Sequence, residues 1–86
     1  GLMMCTVDGK AKMLEMALYD GEITVDALLE SASTDVENED IKLTEYPDGS
    51  IEYHYEGFNL VKLNSLTGSK DIYFIPKSMS YYDVKQ

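Results

Sequence analysis

The stretch 41-IKLTEYPDGSIEYHYE-56 decides the fold of this 86-residue chain. At its centre, Pro47-Asp48-Gly49-Ser50 is a turn with a mechanism. Proline presets φ for the first corner, and glycine accepts a positive φ. Beyond the turn, Ile51, Tyr53 and Tyr55 alternate with Glu52, His54 and Glu56. That period of two belongs to a strand whose two faces meet different surroundings. Residues 41–46 read as its partner, so the stretch is a β-hairpin.

Working outward, residues 58–64 read as a third strand. Its apolar positions are Phe58, Leu60, Val61 and Leu63, so the inward parity slips between Leu60 and Val61. A β-bulge or burial of both faces would account for that slip. Residues 65–70 form a loop. Residues 71–75 form a fourth strand, ended by Pro76, and 78–86 read as a polar tail carrying Met79, Tyr81 and Tyr82.

Upstream of the hairpin the pattern is helical. Residues 2–7 are apolar and read as a short edge strand or lead-in. Asp8 is placed to cap a helix over 9–20, with Met13, Leu14, Ala17 and Leu18 at helical spacing and Gly21 as its stop. Met13 and Met16 are expected to fill the core. A second helix is expected over 24–33. Thr24 is its N-cap, Asp26 lies in the first turn, and Ile23 and Leu28 have the spacing of a hydrophobic staple. Val25, Leu28, Leu29 and Ala32 form its apolar stripe, while Glu22, Asp26 and Glu30 recur every four residues as an acidic outer face. Residues 34–40 read as a polar, acidic connection.

The expected architecture is a single α+β domain over 1–86. Two N-terminal helices (9–20 and 24–33) cover one face of a four-stranded antiparallel meander (41–46, 51–56, 58–64, 71–75). In its order of elements this resembles β-lactamase-inhibitor-like domains, small envelope assembly factors and periplasmic domains of the PepSY kind. A likeness of element order implies no function.

Composition narrows the function. Sixteen acids face seven lysines, for a net charge of −9, with no arginine and no tryptophan. Arginine is the side chain suited to paired contacts with phosphates and base edges, and the negative charge repels a phosphate backbone. Direct nucleic-acid binding and an anionic membrane surface are therefore disfavoured, and no apolar run reaches the roughly 18–20 residues of a membrane span. The charge is uneven, since residues 1–45 carry eleven acids and three lysines. Cys5 is the single cysteine, so no intramolecular disulfide forms. That fits the cytoplasm, although a chain beginning at Gly1 leaves room for a removed N-terminal signal. A core this small favours association, and pairing of edge strands is a route to a homodimer.

Catalytic and metal motifs are sparse. Asp35, Glu37 and Glu39 alternate like the first ligands of a calcium loop, but Asp40 stands where such a loop needs glycine, and Tyr46 where it needs its bidentate acid. Glu52, His54 and Glu56 share one strand face, roughly 6.5 Å apart, too widely spaced to hold one ion without help from another strand, and they read as a solvent-facing side of mixed charge. Cys5 and His54 are the only thiol and imidazole, and Cys5 lies among apolar residues where a thiol is usually inert. The chain is expected to be non-catalytic and to carry no cofactor.

Seven tyrosines against two phenylalanines are a skewed ratio. Tyrosine suits both sheet packing and protein interfaces. The expected function is a protein–protein interaction or inhibitor-like domain. Glu22, Asp26, Glu30, Asp35, Glu37, Glu39 and Asp40 would steer a partner with a basic surface, and Tyr46, Tyr81 or Tyr82 would anchor it. An acidic decoy that occupies a nucleic-acid-binding cleft is the alternative. A metal or enzymatic site around His54 is a further one.

Overall fold

The computed structural model describes residues 9–64 and 71–85. The segment 2–7, the Asp8 cap, Cys5 and the loop 65–70 lie outside the described residues. Helices α1 (Gly9–Tyr19) and α2 (Val25–Glu37) come first, then strands β1 (Lys42–Glu45), β2 (Ile51–His54), β3 (Phe58–Lys62) and β4 (Ile72–Pro76), and a short helix α3 (Tyr81–Lys85). The sheet is a meander in the order β1-β2-β3-β4, antiparallel at every pair.

The hairpin closes as its sequence prescribes. Gly49 N–H donates to the Tyr46 carbonyl at 2.9 Å, Tyr46 N–H donates to the Ser50 carbonyl at 2.9 Å, and Gly49 has φ +91°. This is a three-residue loop whose last position takes the left-handed conformation that glycine adopts without strain. A side chain there would also strike Asn64, whose Nδ2 lies 2.9 Å from where a Cβ would stand.

Both long helices start or stop on local chemistry. The Thr24 hydroxyl accepts from Ala27 N–H at 3.1 Å, as an N-cap should. α1 ends with Gly21 N–H on the Leu18 carbonyl and Glu22 N–H on the Ala17 carbonyl, and Gly21 has φ +80°. This is the Schellman ending. α2 ends in the same way, with Glu39 N–H on the Val36 carbonyl and Asp40 N–H on the Asp35 carbonyl. Here Glu39 takes the left-handed conformation, at φ 63°.

α2 runs a turn beyond the expected 33. Its buried stripe of Leu28 and Ala32 continues to Val36, which packs on the core, and that packing outweighs the acids Asp35 and Glu37 at a helix C-terminus. The expected connection 34–40 is therefore half helix.

The two faces of the sheet have different covers. Tyr53, Phe58 and Leu60 are buried against Ala11, Leu28 and Ala32 of the helices, with Leu43, Ile51, Ile72 and Phe74 around them. Tyr55 stacks on Phe58 at 4.9 Å between ring centroids, 6° from parallel. On the other face, Val61 and Ile75 form a second cluster with Tyr81, flanked by Tyr46, Leu63 and Met79. The pairing of β3 runs one-to-one through Leu60 and Val61, so the parity slip reflects burial of both faces rather than a bulge.

That second cover corrects the reading of 78–86 as a polar tail. Tyr81 is buried, and Asn59 Nδ2 donates to the Met79 carbonyl at 2.8 Å. The Met79 and Tyr81 side chains fold back onto the sheet because Val61 and Ile75 would otherwise face water.

Candidate functional site

The outer face of the hairpin holds a buried polar cluster. By alternation Glu52 points away from the helices, and it is 1% exposed. The expectation of a solvent-facing Glu52 is therefore corrected: the C-terminal segment covers it. Tyr46 donates its hydroxyl to Glu52 Oε1, and Glu52 Oε2 has no hydrogen-bond partner among the described residues. Burial first, and then the bond to Glu52, push the Tyr46 phenol well above its ordinary range.

Asp48 ties the hairpin turn to the C-terminal segment. Its Oδ2 accepts from the Tyr81 hydroxyl at 2.7 Å, and its Oδ1 accepts from Ser50 N–H at 2.8 Å. Tyr46 meets Tyr81 and Tyr82 edge-on, each at 4.9 Å between centroids. The structure thus brings together all three tyrosines proposed as anchors. Tyr81 is buried and Tyr46 half-buried, so of the three it is Tyr82, 52% exposed, that offers the most surface.

His54 belongs to a separate chain of bonds. Asn59 donates through Nδ2 to Met79, which leaves its Oδ1 to accept from His54 Nδ1 at 3.3 Å. His54 Nε2 lies 2.7 Å from Thr44 Oγ1. Both ring nitrogens are engaged in cross-strand bonding. Glu56 lies beyond the end of β2 and is exposed, while Glu52 is directed to Tyr46. Among the described residues no group of three or more His, Cys, Asp or Glu side chains is placed to hold a metal ion.

Most of the acids proposed for steering lie on or beside α2. Glu22 is exposed between the helices, Asp26 and Glu30 are exposed along α2, and Glu37, Glu39 and Asp40 are exposed at its end. Asp35 is half-buried and accepts from the Tyr55 hydroxyl at 3.0 Å. Burial and that bond raise the Tyr55 phenol above its ordinary range. Asp35 and Glu37 thus lie in the last turn of a helix, not in a calcium-type loop. Most of these acids lie along α2 while the three tyrosines lie on the other face of the sheet, and Asp40, at the corner before β1, also borders Thr44, His54 and Lys77.

Beside the end of α2 runs an open groove of about 600 Å³, lined by Val36, Glu39, Ile41, Lys42 and Leu43. Its floor is apolar and part of its rim is acidic. β1 forms one wall and is an outer strand of the sheet. The Tyr46–Ser50 bond fixes the hydrogen-bonding phase of the hairpin. Alternation along β1 then turns the N–H and C=O groups of Leu43 and Glu45 toward the outer edge, where no described strand pairs with them.

α1 presents a second apolar surface, and two of its residues, Met13 and Met16, were expected in the core. Ala11, Leu14 and Leu18 pack inward, whereas Met13, Met16 and Tyr19 are 73%, 59% and 88% exposed. The turn of the helix separates these sets, and the similar hydrophobicity of methionine and leucine concealed the difference. Among the described residues no helix is long and apolar enough to cross a membrane. Comparison with known protein families, with curated proteins and with solved structures finds no match for this chain.

Proposed function

We propose that this is a non-catalytic protein-interaction domain that takes up an extended segment of a partner protein along β1. The observation that carries this reading is an outer strand edge, unpaired among the described residues, beside an apolar groove and an acid-rich helix end. An added strand gains main-chain hydrogen bonds from the outward groups of Leu43 and Glu45. Alternate side chains of that strand would rest on Val36, Ile41 and Leu43. Glu37, Glu39 and Asp40 favour lysine or arginine in the incoming segment, both in the rate of encounter and in register.

The test is a set of extended peptides of alternating valine and lysine, titrated against the labelled domain by fluorescence anisotropy. Binding is expected with the Val-Lys series and not with a Val-Glu series. Glu45→Pro removes one outward N–H without touching the β1–β2 ladder, and it should abolish binding in a folded protein. Equal affinity for both peptide series, or binding unaffected by Glu45→Pro, contradicts the reading. A basic nucleic-acid-binding protein whose capture is displaced by DNA would instead support the acidic decoy.

A further inference from the structure

A second open pocket, of about 680 Å³, lies where four parts of the chain meet. Lys10 comes from the first turn of α1, Asp35 from the last turn of α2, and Asp40 and Ile41 from the corner before β1. Tyr55, Glu56 and Gly57 follow β2 and close the other side. Tyr55 is the aromatic wall. Phe58 stacks on its ring, and its hydroxyl donates to Asp35 Oδ2 at 3.0 Å, so the ring is held by one face and by its tip. The Lys10 ammonium stands over this ring, 5.8 Å from its centroid. A cation–π contact reaches to about 6 Å, so Lys10 marks a seat for a cation without filling it.

We infer that this pocket receives an arginine side chain of a partner protein, its guanidinium laid on the Tyr55 ring in place of the Lys10 ammonium. The carboxylates of Asp35, Asp40 and Glu56 outnumber the one lysine in its walls. Tyr55 occupies one oxygen of Asp35, and among the described residues no donor reaches the other. A guanidinium is flat, so it stacks on a tyrosine face while its edge donates to carboxylates in the same plane. An ammonium is compact and strongly hydrated, and has no face to stack. The chain contains no arginine, so neither one of its own segments nor a second copy supplies this group.

Ile41 borders both this pocket and the groove beside β1. The inference therefore also names arginine as the basic residue that a segment added along β1 would place at this corner. The pocket itself is probed without such a segment, so the two readings fail separately.

N-acetyl-arginine methylamide, titrated into the isotope-labelled full chain and followed by its amide resonances, tests it. Saturable shifts are expected at Lys10, Asp40, Tyr55, Glu56 and Gly57, with a Kd of about 1–10 mM for a single stacked and paired side chain. The lysine counterpart should bind about threefold more weakly. The citrulline counterpart, which keeps the shape and loses the charge, should produce no shifts. Lys10→Met should tighten arginine binding about threefold, because it clears a competing cation from the ring. Asp40→Asn combined with Glu56→Gln should weaken it at least about threefold. Shifts that never saturate, or that spread over all the acids of α2, overturn the inference. So do equal responses to arginine and citrulline, or a Lys10→Met chain that binds no better. Arginine binding by a chain that takes up none of the valine–lysine peptides would uphold the pocket and remove the β1 reading.

Discussion

Tyr46 donates its hydroxyl to Glu52 on the face of the sheet that Tyr81 covers. The bond gives a buried carboxylate its one side-chain donor among the described residues, while the second oxygen has none. This pair joins two adjacent strands, and its surroundings are built by a segment more than twenty-five residues downstream of Glu52.

Removing the donor should matter more than removing the charge. Tyr46→Phe is expected to lower stability by about 1–3 kcal/mol, since it leaves a buried carboxylate without its partner. Glu52→Gln removes the charge and should be neutral or stabilising by about 1 kcal/mol. In that background Tyr46→Phe should have a smaller effect. Urea denaturation of the four proteins gives the coupling energy, and values that simply add would contradict the arrangement.

Alkaline pH should loosen the fold through two phenols. Tyr46 and Tyr55 are both held above the ordinary tyrosine value near 10, by burial first and then by bonds to Glu52 and Asp35. Above pH 10 the unfolded chain loses these protons while the native chain keeps them. The unfolded state then binds fewer protons, so stability falls as pH rises. Below about pH 9 these groups add no pH dependence. Denaturation midpoints measured from pH 8 to 11 should drop at the alkaline end, and the double variant Tyr46→Phe, Tyr55→Phe should flatten that drop.

Glu39 is a clear place to gain stability. It occupies the position in the α2 ending that Gly21 occupies in the α1 ending, and both have positive φ. Glu39→Gly relieves the left-handed strain and removes an acid from a helix C-terminus. The gain should be about 1 kcal/mol, after allowing for the greater freedom of glycine in the unfolded chain. Thermal denaturation of the variant checks it.

Tyr81 should be among the costliest surface-segment residues to truncate. Tyr81→Ala is expected to lose about 3–4 kcal/mol with its buried ring. Tyr81→Phe, which keeps the ring and loses the bond to Asp48, should lose about 1 kcal/mol. Hydrogen exchange in the alanine variant should accelerate first at β3, whose Val61 lies under Tyr81.

The two helices and the meander were legible because each rests on local rules: the Thr24 cap, the Gly21 stop, the Pro-Asp-Gly turn and the alternation after Ser50. The run Leu60-Val61 signalled either a bulge or double burial of β3, and the one-to-one pairing shows the second. The cover on its second face was not legible, because 78–86 has few apolar residues and its helix is stabilised by tertiary packing rather than by an amphipathic repeat. Glu52 looked solvent-facing for the same reason, since alternation tells which side a residue faces but not what lies there. Of the candidate acids, the exposure of Glu22, Asp26 and Glu30 was legible in their four-residue spacing, whereas Asp35, read as part of a connection, is half-buried in the last turn of α2. The groove beside β1 arises from residues brought together by the fold, and no spacing in the sequence encodes it.

The C-terminal cover also bears on the order of synthesis. Both long helices and all four strands leave the ribosome before Tyr81 does. A sheet formed before Tyr81 docks would leave Val61 and Ile75 on a bare face, the kind of surface on which partly folded chains stick to one another. Glu52, Asn59 and His54 share that face, and their polar groups keep it wetted while it waits. A buried carboxylate with an unmatched oxygen weakens the finished fold, yet the same group would protect the unfinished one.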